Sequence, residues 1–248
     1  MTGYNDAFII SSEKRNEILD NCADNEERER TAAIIRPILR GRDIKRYDYS
    51  WDEKYIIATF PSMQYNIENY QAIKSYLLSF GMERLEQTGK EYFINGEKVK
   101  ARKKTNNKWF ETQDSISYWD DFDKTKIVWI ELSDESKFTI CDNYIPLNTV
   151  FFLTGSHLSH ILGLLNSKLI NWYFRNCIGT SSGAGTNRWL KYTVELLPLL
   201  SYDSEIETLV NSRLTSDSDQ VSLELQIDKV VCKKYGLTDE ETEFILEN

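Results

Sequence analysis

The chain has 248 residues, 41% hydrophobic and 28% charged, enough for one large domain or two small ones around a substantial core. With 30 Lys and Arg against 39 Asp and Glu, its formal net charge is −9, which excludes a binder that attracts polyanions through bulk positive charge. Any nucleic-acid contact must use a local patch, and four widely spaced cysteines with two histidines exclude zinc-finger motifs.

Twelve acids and four bases lie in Ser201 to Asn248, so most of the negative charge belongs to the tail. No run approaches the roughly 18 apolar residues of a membrane span, and the start has no basic segment followed by an apolar one. The expected compartment is the cytoplasm. Structured sequence begins directly after Met1, as in a piece of a longer polypeptide cut at a domain edge.

Phe8 to Ile10 reads as a strand, with Ser11 or Ser12 as N-cap of a helix that places Ile18, Leu19 and Cys22 on one side. Asp24 and Glu27 form a capping-box pattern before a helix that ends ahead of Pro37, and Arg40-Gly41-Arg42 reads as a turn. KYIIATF at 54 to 60 is strand-like, and Ile67, Tyr70, Ile73, Lys74, Leu77 and Leu78 recur at helical spacing before Gly81. Residues 89 to 110 read as hairpin and loop around Asn95-Gly96.

KIVWIEL at 126 to 132, KFTIC at 137 to 141 and TVFFL at 149 to 153 are expected to be three strands of one sheet. Leu158, Ile161, Leu162, Leu165, Leu169, Trp172 and Tyr173 then predict one helix with a buried stripe. GTSSGAGTNR at 179 to 188 has no large apolar side chain and reads as a loop, with structure resuming at Trp189. In the tail, Leu223, Ile227, Val230 and Val231 share a helical face, Gly236 ends that helix, and Thr238 with Glu241 caps another.

Catalytic motifs are missing: there is no G-x-S-x-G elbow, Walker loop or dinucleotide fingerprint. His157 and His160 have no third ligand in their neighbourhood of sequence, which favours a surface or capping role. Asp121, Glu135 and Lys137 allow a metal-dependent nuclease to be imagined, but a charged turn between strands is the ordinary explanation. The tail acids Glu240, Glu241 and Glu243 suit a helix start.

Three segments point instead to a phosphate backbone. RGRDIKRYD places Arg40, Arg42, Lys45 and Arg46 around a glycine turn. KVKARKKTNNK carries Lys98, Lys100, Arg102, Lys103, Lys104 and Lys108 without an acid, together with Asn106 and Asn107, whose amides suit base edges. The Gly/Ser loop adds Thr186, Asn187, Arg188 and Lys191, with small residues that permit close approach to phosphates. Phosphate contacts would set register, while Asn106, Asn107 or Arg188 would read bases.

At these residues the sequence resembles a known family, the TaqI-like C-terminal specificity, or target recognition, domain of type IIG-like restriction-modification enzymes and adenine-specific DNA methyltransferases. The resemblance runs through TGYNDAFII, IIRPILRGRDIKRY, WFETQDSISYWDDFDKTKIVWIEL, CDNYIPLNTVFFLTG and LSHILGLLNSKLINWYFR to the GTSSGAGTNRWLKYTVELLPL segment and the IDKVVCKKYGLTDEE tail. It implies an α+β fold, a mixed or antiparallel sheet with packed helices over residues 1–200, followed by a helical C-terminal extension at 201–248.

The resemblance also implies double-stranded DNA as partner, together with a methyltransferase domain in the same or a partner polypeptide that flips an adenine and methylates it. S-adenosylmethionine, and Mg²⁺ where a nuclease is attached, would belong to that parent enzyme. The chain itself lacks the Asn/Asp-Pro-Pro-aromatic motif of such methyltransferases, since no Pro-Pro pair occurs, so a recognition part with no cofactor of its own is expected. The rival expectations are a subunit-docking module without DNA affinity and, behind it, the nuclease on Asp121, Glu135 and Lys137.

Overall fold

Short β-branched runs that could not cover a core alone are paired into small antiparallel sheets and backed by helices. This arrangement is seen in a computed structural model that describes residues 2–179, 186–216 and 218–247. The chain divides into two compact units: Met1–Ile38 with Asp52–Asp121, and Leu39–Trp51 with Phe122–Asn248.

In the first unit, β1 (Ile9–Ser11) runs into α1 (Ser12–Asp20), and α2 (Asn25–Ile34) runs into β2 (Ile35–Leu39). Both helices start as their sequences dictate: Ser11 Oγ accepts from the Lys14 amide at 3.3 Å and Asp24 from the Glu27 amide at 2.7 Å. β3 (Lys54–Ile57) lies between β1 and β2, antiparallel to both, with Ile10 opposite Tyr55 and Arg36 opposite Ile56. α3 (Gln71–Leu78) covers this core with Ile73 and Leu77, and its first turn is held by the buried Glu27 carboxylate, which accepts from the Ala72 amide at 2.9 Å. That places negative charge at a helix N-terminus, where the macrodipole favours it.

The hairpin of this unit is β4 (Glu91–Ile94) and β5 (Glu97–Lys100), in register Ile94 to Glu97. Its two-residue turn needs positive φ at both positions, supplied by Asn95 at +50° and Gly96 at +84°.

In the second unit, β6 (Lys126–Ile130) is the middle strand between β7 (Phe138–Cys141) and β8 (Val150–Leu153), with Trp129 opposite both Phe138 and Phe151. The three strands therefore form one sheet, as expected. The helix expected across 158–173 is instead two, α4 (Leu158–Asn166) and α5 (Lys168–Tyr173), followed by a turn of π-helix at Phe174–Ile178. Ser167 has extended backbone and its Oγ caps α5 through the Ile170 amide at 3.2 Å, so a stripe that is continuous in sequence is bent at a capping residue.

The tail folds as α6 (Ser204–Thr215), α7 (Gln220–Lys234) and α8 (Asp239–Glu247). Gly236 ends α7 at φ +80°, and Thr238 with Glu241 forms the capping box of α8, the Thr238 amide donating to Glu241 at 2.8 Å. Ile206, Val210, Ile227 and Val231 are fully buried in the same cluster as Leu162, Leu165, Trp129 and Trp189. Among the described residues, no helix is long and apolar enough to cross a membrane.

Candidate nucleic-acid interface

The first basic segment divides between structure and surface. Arg40 is bound to the buried Asp43, donating from its amide at 2.9 Å, from Nε at 3.2 Å and from Nη2 at 3.1 Å. Gly41 is closely packed, since a Cβ would lie 3.1 Å from Thr149 Oγ1 and 3.2 Å from an Ile130 methyl. Arg42 and Lys45 are exposed, and the two-residue strand Ile44–Lys45 pairs with Asp48–Tyr49.

Arg46 is turned into the protein. It donates twice to the Asn166 carbonyl, at 3.1 and 2.8 Å, and to Glu224 at 2.7 Å, with Asp228 at 3.7 Å. Tyr47, buried with a left-handed φ of +60°, packs against the guanidinium groups of both Arg46 and Arg213, each 5.3 Å from its ring centre. Glu224 also accepts from Arg213 at 2.7 Å, and burial pushes the Tyr47 hydroxyl and the Asp228 carboxyl above their usual ranges. This cluster holds the segment in place while Arg42 and Lys45 stay exposed.

In the second segment Arg102 is also structural. All five of its N–H groups are engaged: Nε and Nη2 on the Leu85 carbonyl at 2.8 and 2.6 Å, Nη1 on Thr2 and Glu111 at 2.8 Å each, and Nη2 on Trp109 at 2.5 Å. Burial lowers its pKa to about 10, and the guanidinium lies 4.9 Å over the Phe8 ring. Asn107 likewise donates to the carbonyls of Thr112 and Gln113 at 3.2 and 2.9 Å. Lys98 is exposed and pairs with Glu91 across the hairpin at 2.8 Å, while the exposed Lys108 lies 5.5 Å from the Phe110 ring centre.

Lys100, Lys103, Lys104 and Asn106 are exposed. The three lysines line a cleft of about 560 Å³ with Arg84, Gly89 and Gln113, and no carboxylate side chain lines it. Gly89 takes φ +68°, and its amide donates to the Arg102 carbonyl at 2.8 Å, so the buried arginine braces the backbone between Lys103 and the cleft wall. Arg84 was not among the residues expected here. It stands on the helical turn Met82–Leu85, and no run of charge marks it in the sequence.

The third segment lies partly outside the described residues, including Gly183 and Gly185. Of the rest, Thr186 is half-buried and Asn187 buried, and Asn187–Arg188 forms a bridge antiparallel to Leu132–Ser133. Arg188 pairs with Glu131 at 3.3 Å and the exposed Lys191 with Glu195 at 3.6 Å.

Of the residues of the nuclease reading, Asp121 lies on the 3-10 turn Trp119–Asp123, and Glu135 and Lys137 lie together before the strand that begins at Phe138. Lys137 is paired with Asp134 at 3.1 Å and Glu135 at 3.5 Å, and no group of three or more His, Cys, Asp or Glu among the described residues could hold a metal ion. His157 pairs with Glu207 at 3.5 Å and packs on the Tyr202 ring, while His160 bonds the Leu200 carbonyl at 3.3 Å.

The family model of the TaqI-like C-terminal specificity domain matches residues 36–199, about two thirds of the chain. The chain belongs to this family. No curated protein matches it. The span that matches the TaqI-like domain contains all three basic segments and draws on both compact units. Arg213, Glu224 and Asp228, which fix Arg46 and Tyr47, lie beyond it.

Proposed function

We propose that this chain is the sequence-specific DNA recognition module of a restriction-modification enzyme, presenting double-stranded DNA to an adenine-specific methyltransferase in the same or a partner polypeptide. The observation that carries the reading is the cleft of Arg84, Lys100, Lys103 and Lys104, four cations without a carboxylate in a chain of net charge −9. Glu91, across the hairpin from Lys100, offsets part of this charge, and a phosphate backbone would balance the rest. Membership of a specificity-domain family supports the same ligand.

In this reading Arg42, Lys45, Lys98, Lys108, Arg188 and Lys191 add exposed cations that grip phosphates, and Asn106 is available to a base edge. Arg40, Arg46, Arg102, Asn107 and Asn187 support these positions from within the fold, so their contribution to binding is indirect. Catalysis, S-adenosylmethionine and any Mg²⁺ belong to the rest of the enzyme, which would work in the cytoplasm.

The experiment is a salt titration of binding to duplex DNA by the chain and by a Lys100→Gln, Lys103→Gln, Lys104→Gln variant. Removing one lysine–phosphate pair lowers the slope of log K against log salt by about 0.9, so the triple variant is expected to show a slope smaller by between about 2 and 3. An unchanged affinity and slope would sink the reading and favour a subunit-docking module.

A further inference from the structure

A second cleft, of about 460 Å³, lies wholly within the second unit and belongs to none of the three basic segments except through Arg46. One wall is a helix face. Lys168, Asn171, Trp172 and Arg175 follow one another at i, i+3, i+4 and i+7, so they project on the same side of α5 and its π-helical continuation. The other wall is the turn Asp134–Ser136 before β7.

The groups in this cleft differ in what remains open to a ligand. Arg46 and Lys168 are held by protein acceptors, Lys168 by the Leu246 carbonyl. Arg175 is exposed and has no protein partner among the described residues. The Asn171 side-chain carbonyl accepts from the Ser136 amide at 3.0 Å, which leaves the donors of its Nδ2 for another acceptor. Glu135 is exposed in the same cleft and offers carboxylate oxygens, with Lys137 at 3.5 Å. Trp172 is half-buried, its edge set against Phe244.

Donors at Asn171 and Arg175, an acceptor at Glu135 and the Trp172 ring line one cleft, a set of groups that matches a base pair viewed from the major groove, where purine acceptors and amino donors lie side by side. A bare phosphate would not suit a cleft that holds Asp134 and Glu135. The π-turn at Phe174–Ile178 adds a local departure from α geometry at Arg175, a feature that recurs at functional sites.

We propose that this cleft reads one G·C base pair of the recognised sequence, with Arg175 donating to guanine O6 and N7, Glu135 accepting from cytosine N4, and Asn171 steadying the purine edge. The proposal rests on the DNA-reading function above and assigns base discrimination to α5, away from the lysine cleft.

The test is selection of bound sequences from random duplex DNA by the unaltered chain, by Arg175→Ala, Arg175→Lys and Glu135→Ala, and by the triple lysine variant. The unaltered chain is expected to enrich a motif containing a G·C position. At that position Arg175→Ala loses roughly 5- to 150-fold discrimination, the value of a good bidentate contact, and Glu135→Ala, which removes a single acceptor, loses less. Arg175→Lys keeps the charge but not the fork, so it relaxes the same position with overall affinity little changed. The lysine variant weakens binding to all sequences and leaves the motif intact. A motif identical in the chain and in all the Arg175 and Glu135 variants would overturn this assignment while the recognition function stands. Absence of any motif with the unaltered chain would remove the recognition function and this inference together.

Discussion

Asn166, the last residue of α4, closes both backbone groups of Phe138: the Phe138 amide donates to its Oδ1 at 3.1 Å, and its Nδ2 donates to the Phe138 carbonyl at 2.9 Å. The same carbonyl also accepts from the Tyr47 amide at 2.9 Å. One side-chain amide thus acts as a short stretch of neighbouring strand on the outer edge of β7. Asn166→Leu would leave the buried Phe138 amide without an acceptor, and a loss of roughly 2 kcal/mol is expected. A urea denaturation midpoint measures it.

Arg102 separates charge from hydrogen-bond count. Arg102→Lys keeps a cation but offers three donors where five are used by the carbonyls of Leu85, Thr2, Glu111 and Trp109. A stability loss of about 3 kcal/mol is expected in urea, with Arg102→Ala at least as large. Equal stability of Arg102→Lys and the parent would show that charge alone suffices.

Gly163 is where α4 meets α6. A Cβ there would lie 2.7 Å from a Val210 methyl and 2.8 Å from an Ile206 methyl, both on β-branched side chains with little rotational freedom. Gly163→Ala should therefore lower stability by about 1–3 kcal/mol, a fall in melting temperature of roughly 5 °C. At Gly155 an added Cβ would meet nothing within 4 Å among the described residues, so Gly155→Ala serves as the neutral control.

Asp228 gives a pH dependence of unusual sign. Burial raises its carboxyl above the ordinary aspartate range, outweighing the nearby Arg46 and the Lys168 amide. Because the folded state then binds the proton more tightly than the unfolded one, this group contributes stability below the unfolded pKa. That contribution fades as pH rises through the folded value. Most carboxylates do the reverse. NMR titration should place the Asp228 midpoint above that of an exposed aspartate, and Asp228→Asn should abolish this component of the stability profile.

Local rules were enough for the elements that make their own arrangements. Ser11, Asp24 and the Thr238–Glu241 pair cap helices as their spacing implies, Asn95-Gly96 turns the hairpin, and three apolar runs form one sheet. The break at Ser167 was hidden because the apolar stripe continues through it. Which cations face outward was hidden too. A run of Lys and Arg carries no sign of its partners, and Arg46 finds Glu224 at 178 positions' distance. Asn171 and Arg175 escaped notice because a helix read as one buried stripe gives no reason to look at its other face.

The chain enters the second unit at Leu39, returns to the first at Asp52 and leaves it again at Phe122. A transplant of specificity between relatives with a single crossover near residue 121 would therefore give the recipient a foreign segment 39–51. Tyr47 from one parent would have to pack against an arginine pair drawn from both. Exchanges that move residues 39–51 together with everything from 122 onward keep that cluster from a single parent, and these are the junctions at which chimaeras can be joined without splitting it.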